Sequence, residues 1–527
     1  MRDELSGLQQ GKQAKNVKII SISAAIGMLA GLGSVLYRYA LTFAEEASFN
    51  IYEMVGNNKQ YIPILFIALA ILGYGIGALT RKVPLISGSG IPQVKAQISG
   101  YIEGKWLYTI LAKFLGGTAA ILGGLSLGRE GPSIQLGACV ADFVADEMTD
   151  STTEKRIYLA SGASAGLAAA FNAPLAGVMF ALEEIFKYFS PMVLLSTMVA
   201  AVFADFISKM FFGIDHVFHF DVTKSIEFRH YWLFLLLGII LGISGVIYNV
   251  CLIKTQKLYK NMKYIPVKLR PIIPFMVAGV LGLTFPVVLC GGHSLITELH
   301  IETSILFLCM ALIIKFLFSM ISFGSGAPGG IFFPLLVLGS TIGAVFAQIV
   351  IPLLGMDEML FYNFIIIAMA GYFAAIVRAP LTGIILMIEM TGSLTQLLPL
   401  IVTSAVAYIV AEEMDNKPIY ESLLENLLIG QGVHKQTKKR LKILIESVVQ
   451  YGAEIENTML KDINMPKHCL IVSIRRGEHD ITPNGQTMVK AGDYLIVLTS
   501  IKYELDVRPM LEKMCNEENN IANRKKC

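Results

Sequence analysis

The sequence predicts an all-α polytopic membrane domain built on an internal repeat, followed by a small C-terminal α+β domain. Three observations carry that expectation. Only 16% of the 527 residues are charged and 54% are hydrophobic, with a mean hydropathy of +0.61, whereas soluble proteins carry about 25% charged residues. Residues 231–253 and 316–356 contain no charge, and each run exceeds the roughly 20 residues that span a bilayer as a helix. From about residue 430 the composition turns mixed and polar, with the short strand-like runs LKILIESVV, CLIVSIRRG and YLIVLTS.

The elements follow in order. Residues 1–16 (MRDELSGLQQGKQAKN) are polar, so no cleavable signal is expected and the apolar stretch after them is a retained membrane helix. Apolar segments then recur at about 17–41, 61–80, 106–127, 156–185, 191–213, 231–253, 271–292, 302–322, 331–353, 361–377 and 390–411. They define a transport domain over 17–430, with halves at roughly 17–213 and 231–425. A basic linker (431–444), a regulatory domain (445–505) and a polar tail (506–527) complete the chain. The basic run KQTKKRLK (435–442), with Arg2, Lys12 and Lys15, predicts that both termini face the cytoplasm across the cell's inner membrane. A net charge of +3 gives no ground for a nucleic-acid partner. Seven cysteines without paired spacing give none for a zinc site or a disulfide framework, and no cofactor is expected.

Forty-seven glycines and several Gly/Pro interruptions break the apolar segments. Non-helical backbone at membrane depth survives only inside protein or along a cavity, which points to a channel or transporter. Overlaying the halves exposes the repeat. GREGPSIQLG (128–137) matches GIFFPLLVLG (330–339), and the same shift of 202 places Lys113 on Lys315. APLAGVMFALE (173–183) matches APLTGIILMIE (379–389) at a shift of 206. Such duplication is typical of secondary transporters, with binding where broken helices meet.

Four interruptions share a chemistry: SGSGIPQV (87–94), GREGP (128–132), GAPGGIFFP (326–334) and KPIYES (417–422). In the first three, glycines free the backbone and a proline opens a new helix. Helix starts present unpaired N–H groups and partial positive charge, which hold an anion without a full cation. Backbone near Gly88, Gly90, Arg129, Gly131 and Gly330 is therefore expected to surround an anion, with hydroxyls from Ser89 and Tyr420 completing the site. Loose holding of this kind suits a transported ion.

GSGIP (88–92), GREGP (128–132) and GGIFFP (329–334), in this order on a repeated membrane domain, resemble the CLC chloride channel and transporter family. The resemblance covers roughly residues 15–430 and implies a homodimer of inverted repeats with tilted, often incomplete helices. It implies that Ser89 and Tyr420 offer hydroxyls to chloride, and that Ile331 and Phe332 offer backbone N–H groups. Glu130 matches the gating glutamate, which occupies the external anion site when ionised and swings away on protonation, whereas Ser89, Tyr420, Ile331 and Phe332 match the ligands of the central anion. Serine at position 89 implies chloride as the substrate. Glu184, the second acid of ALEEIF (181–186), matches the inward-facing glutamate of proton-coupled members. Glu183 and Glu389 occupy equivalent repeat positions and are expected to be structural. With both Glu130 and Glu184 present, the resemblance implies a 2 Cl⁻/1 H⁺ antiporter rather than a passive voltage- or pH-gated channel. A carboxylate inside a membrane costs about 2.5–3.5 kcal/mol on insertion scales, and marks an ion or proton path by default. Lys187 offers Glu184 a nearby counter-ion, and Lys95 departs from the acidic residues usual after the GSGIP proline in bacterial exchangers.

Residues 469–500 resemble an RCK C-terminal (TrkA-C type) domain, a module that regulates transporters, often as a dimer binding a small ligand. No GxGxxG run precedes it, so a nucleotide cofactor is not supported. Arg475 and Arg476 are expected to be a solvated surface pair. A potassium pathway is the remote alternative, since GYG at 73–75 stands alone inside an apolar run. No HExxH, GxSxG or phosphate loop supports an enzyme, and His293 in CGGHS is isolated.

Overall fold

The computed structural model describes residues 2–187, 189–218, 220, 224–430, 442–477, 479–500 and 503–516, with side chains from Lys15 onward except Leu505. Most of the expected linker (431–441) and the end of the tail (517–527) lie outside the described residues, as do the side chains of Arg2 and Lys12. The chain divides into two compact units, 1–425 and 426–527.

The first unit is helical. Its helices are α1 (Arg2–Asn57), α2 (Ile62–Lys82), α3 (Ile91–Ile98), α4 (Trp106–Leu122), α5 (Glu130–Met148), α6 (Thr152–Phe171), α7 (Pro174–Phe180) and α8 (Pro191–Phe212). A π-helical turn, Ala181–Phe186, extends α7. There follow α9 (Trp232–Asn261), α10 (Ile272–Thr284), α11 (His293–Thr297), α12 (Ile305–Gly324), α13 (Phe332–Leu354), α14 (Phe361–Val377), α15 (Pro380–Thr391) and α16 (Leu397–Glu413). The last helix to begin in this unit, α17, runs Ile419–Gly430. Eight helical stretches among the described residues are long and apolar enough to cross a membrane, and α4 and α15 are shorter apolar helices. Ile64, Ile67 and Ile71 on α2 are all exposed, and their helical spacing makes one apolar stripe on the outside of the bundle. At the other extreme, 94% of the apolar window at α14 is buried, which places that helix at the heart of the bundle.

The repeat is structural. Residue for residue, α5 begins 202 positions before α13, α3 the same distance before α11, and α7 206 positions before α15. Thus α1–α8 recur as α9–α16, and α17 has no counterpart among the described residues. Where the halves meet, Gly128 N–H donates to Gly330 O (2.7 Å) and Gly330 N–H donates back to Gly128 O (2.8 Å). These residues hold equivalent positions, and such a reciprocal antiparallel pair requires a two-fold relation between the halves. Close approach in each half relies on glycine. A Cβ on Gly137 or Gly162 would collide with the other helix's backbone, so α5 and α6 pack main chain to main chain.

The second unit is a four-stranded antiparallel sheet in the order β1-β4-β2-β3, made of β1 (Lys442–Val448), β2 (Cys469–Arg476), β3 (His479–Ile481) and β4 (Tyr494–Ser500). A bulge interrupts the β2–β4 register between Ile471 and Ser473. Helix α18 (Glu504–Asn516) covers the core formed by Ile445, Ile474, Leu495 and Val497. Val507, Leu511 and Cys515 of α18 are buried in that core. The domain therefore runs past 505, where the polar tail was expected to begin: the apolar residues at i, i+4 and i+8 form one helical face. At its other end the domain takes in Lys442–Leu444, which the expected linker had claimed.

Candidate functional site

Four helix starts carry the expected anion ligands. Gly90 (φ +97°) caps α3, Arg129 caps α5 and Ile331 caps α13. Phe332 is the first residue of α13, and Tyr420 is the second of α17. A Cβ on Gly131 would lie 2.7 Å from Ser89 O and 2.9 Å from Ser89 Cβ, so the α5 start rests directly on the Ser89 loop. Gly330 approaches the same place from the other half, and its Cβ would sit 3.2 Å from Gly131 N. The structure thus brings the GSGIP, GREGP and GGIFFP segments to one point.

The Ser89 hydroxyl oxygen accepts from Ile91 N–H (3.3 Å), which leaves its proton free to face an anion. Tyr420 is fully buried and its hydroxyl makes no hydrogen bond among the described residues. Its ring meets Phe180 edge-on (6.3 Å), and Phe180 in turn meets Phe332 (6.0 Å). The hydroxyl lies within Coulombic reach of both Glu184 and Glu130. A buried hydroxyl without a partner is costly, and it is well placed to donate to an anion.

Glu130 is wholly buried, and neither carboxylate oxygen makes a hydrogen bond among the described residues. Arg129 Nε stands 3.9 Å from Oε1, and the N–H groups of Arg129, Glu130 and Phe333 face the carboxylate from beyond hydrogen-bond geometry. The carboxylate therefore occupies the electropositive ground at the α5 and α13 starts without being locked there. A cavity of about 620 Å³ opens beside it, lined by Arg38, Glu45, Arg129, Asp215, His293 and Phe333 among others. Sequence reasoning missed Arg38 and set His293 aside. Arg38 donates to Asn172 Oδ1 (3.2 Å) and stacks on Phe212 (4.0 Å). Its only signal was one cation within the apolar run VLYRYALTF.

Two buried lysines hold the loops in register. Lys113 Nζ donates to Ile86 O (2.9 Å) and Gly88 O (2.6 Å). Its repeat mate Lys315 donates to Val288 O and Cys290 O (both 2.9 Å), the residues 202 positions on. Each ammonium gathers carbonyls turned inward by the left-handed residues Gly88 and Cys290. Lys113 therefore fixes the loop that presents Ser89.

Glu184 is buried in the π turn, and its Oε1 accepts from Lys95 Nζ at 2.7 Å. The expected partner, Lys187, pairs with Glu421 of α17 instead. Lys187 leaves the turn in a left-handed conformation (φ +56°) and stays within Coulombic range of Glu184 without bonding it. Glu183 and Glu389 stay out of the site. Glu183 accepts from Leu381 N–H (3.2 Å) and Thr382 N–H (2.8 Å), and Glu389 accepts from Leu175 N–H (3.0 Å) and Ala176 N–H (2.7 Å). Each repeat's glutamate caps the opposite repeat's helix.

This geometry is that of a multi-pass membrane protein in which broken helix starts converge beside buried carboxylates. The family model described as "Voltage gated chloride channel" matches residues 68–412, and that described as "TrkA-C domain" matches 444–511. An "H(+)/Cl(-) exchange transporter ClcA" of Vibrio campbellii is 35% identical over 445 residues, covering 81% of this chain and 94% of the relative. The protein of the same name from Salmonella typhimurium is 31% identical over 449 residues, covering 83% and 94%. The solved structure of a slow cyanobacterial Cl⁻/H⁺ antiporter superposes with a TM-score of 0.73 at 29% identity, over 79% of this chain and 99% of that one. The chain belongs to the voltage gated chloride channel (CLC) family and carries a C-terminal TrkA-C domain.

Proposed function

We propose that the protein exchanges chloride for protons across the membrane, with Glu130 as gate and Glu184 as the second proton-bearing group. The observation that carries this reading is Glu130: a buried carboxylate without a hydrogen bond among the described residues, placed where both repeats direct helix starts. Ionised, it takes the position of an anion at those N–H groups. Protonated, it loses that attraction and yields the position to chloride moving to or from the neighbouring place held by Ser89, Tyr420 and the N–H groups of Ile331 and Phe332. A proton and an anion thus compete for one place, which is the condition for coupled exchange. The backbone around Gly88, Gly90, Arg129, Gly131 and Gly330 supplies the positive potential.

The cavity beside Glu130 is the outer vestibule, and Glu184 faces the inner solution. The positive-inside tendency supports cytoplasmic termini and residence in the cell's inner membrane, and the family supports a homodimer with one pathway per subunit. The TrkA-C domain is the regulatory module, responding to a small ligand. The test is flux from reconstituted liposomes with simultaneous pH recording. A chloride gradient is expected to drive protons uphill. Chloride flux without proton movement overturns exchange and leaves a passive conductor.

A further inference from the structure

Lys95 stands one turn beyond the Ser89 loop on α3, an eight-residue helix that is buried along nearly its whole length. Its ammonium reaches Glu184 Oε1 at 2.7 Å, with the two side chains only 7% and 1% exposed. The other titratable or charged groups facing Glu184 are Lys187 beyond the π turn, Glu421 and Tyr420 of α17, and the adjacent Glu183. Lys187 is engaged by Glu421, and Glu183 by the α15 backbone. Among the described residues, Lys95 is therefore the sole direct counter-ion of Glu184. One short helix thus carries the anion-facing hydroxyl at its start and this counter-ion a turn later.

We propose that Lys95 is a positioning residue for proton transfer, holding Glu184 ionised at rest and making its protonation depend on an anion nearby. The inference rests on Glu184 being the second proton-bearing group. When a proton from the inner solution binds a Glu184 oxygen, the carboxylate charge disappears and the Lys95 charge is left buried without its partner. An uncompensated buried charge is unfavourable, and chloride in the adjacent pathway supplies the missing negative charge. When the proton leaves, the ion pair re-forms and the chloride is released from that attraction. The arrangement links the two ions on the inner side, as Glu130 does where the helix starts converge.

The test is the internal-pH profile of proton-coupled transport in liposomes, at low and high internal chloride, for the native chain, K95Q and K95R. Removing a cation from beside a carboxyl raises its proton affinity by about 1–3 pH units. In K95Q the half-maximal internal pH is therefore expected to rise by that amount and to lose its dependence on internal chloride. K95R keeps the charge and is expected to keep both the native profile and its chloride dependence. K95Q with the native profile and intact coupling overturns the proposal. If K95Q yields no folded transporter, K95R decides: a folded, active K95R whose profile moves up by a unit or more overturns it, and a native-like profile supports it. E184Q separates the two layers, since an E184Q protein that still pumps protons overturns the reading of Glu184 itself.

Discussion

At the residue scale, the site depends on polar atoms that the fold buries and leaves unsatisfied. Glu130 and Tyr420 make no hydrogen bond among the described residues, although buried polar groups nearly always find partners; on the proposed reading a proton satisfies the first and chloride the second. E130Q is expected to reduce proton pumping to background while chloride movement persists, because glutamine keeps the shape but neither titrates nor competes as an anion. Liposome flux with pH recording measures both quantities, and proton pumping that survives in E130Q removes Glu130 from the proton path. These residues were legible in the sequence because each is a polar group placed on a Gly/Pro break inside apolar surroundings. The partner of Glu184 was not. Sequence proximity favoured Lys187, three positions away, whereas the structure joins Glu184 to Lys95, 89 positions earlier. Arg476 escaped for the same reason: it was expected to be solvated, yet it pairs with the fully buried Asp493.

At the element scale, the two-fold relation turns capping into cross-bracing. The helices α7 and α15 both begin at proline, and their first free N–H groups are satisfied by a glutamate from the opposite half. Removing either carboxylate leaves two N–H groups without a partner. E183A and E389A are each expected to destabilise the protein by about 1–2 kcal/mol, with the glutamine variants milder because one acceptor oxygen remains. Thermal unfolding of the detergent-purified protein checks this, with E183A expected to cost the more, because Glu183 also accepts from Thr382 Oγ1 (2.8 Å) while Glu389 meets an alanine at the equivalent place. A variant as stable as the native chain would show that the cap is replaceable. The repeat itself was readable from the motif overlay, since charged and proline positions kept their spacing. The π turn at 181–186 was not readable, because its extra residue is absorbed without any glycine or proline to mark it.

At the scale of the whole molecule, the chain joins a unit held together by apolar helix packing to one whose small core is pinned by a charge pair. In the C-terminal unit Arg476 donates to both oxygens of Asp493 (2.7 Å each), and Lys490 N–H donates to one of them (2.9 Å). Burial pushes the Asp493 carboxyl up, but the Arg476 hydrogen bonds and the Lys490 N–H outweigh it and hold the carboxyl below its usual range. The hydrogen bonds to Asp493 raise Arg476. A carboxyl whose folded value is depressed contributes stability above its unfolded value of about 3.9, and loses it as pH falls through the folded value. The C-terminal unit is therefore expected to weaken below about pH 4, and D493N to reproduce that loss at neutral pH. Loss of a charge-assisted hydrogen bond costs about 1.5–3 kcal/mol, roughly 10 °C in the midpoint of a domain this small. The two units can be followed separately, because both tryptophans, Trp106 and Trp232, lie in the first. Tryptophan fluorescence of D493N should keep the native melting curve, while circular dichroism gains an earlier transition from the sheet. A single unchanged transition in both signals would show that the Arg476–Asp493 pair does not hold the domain together.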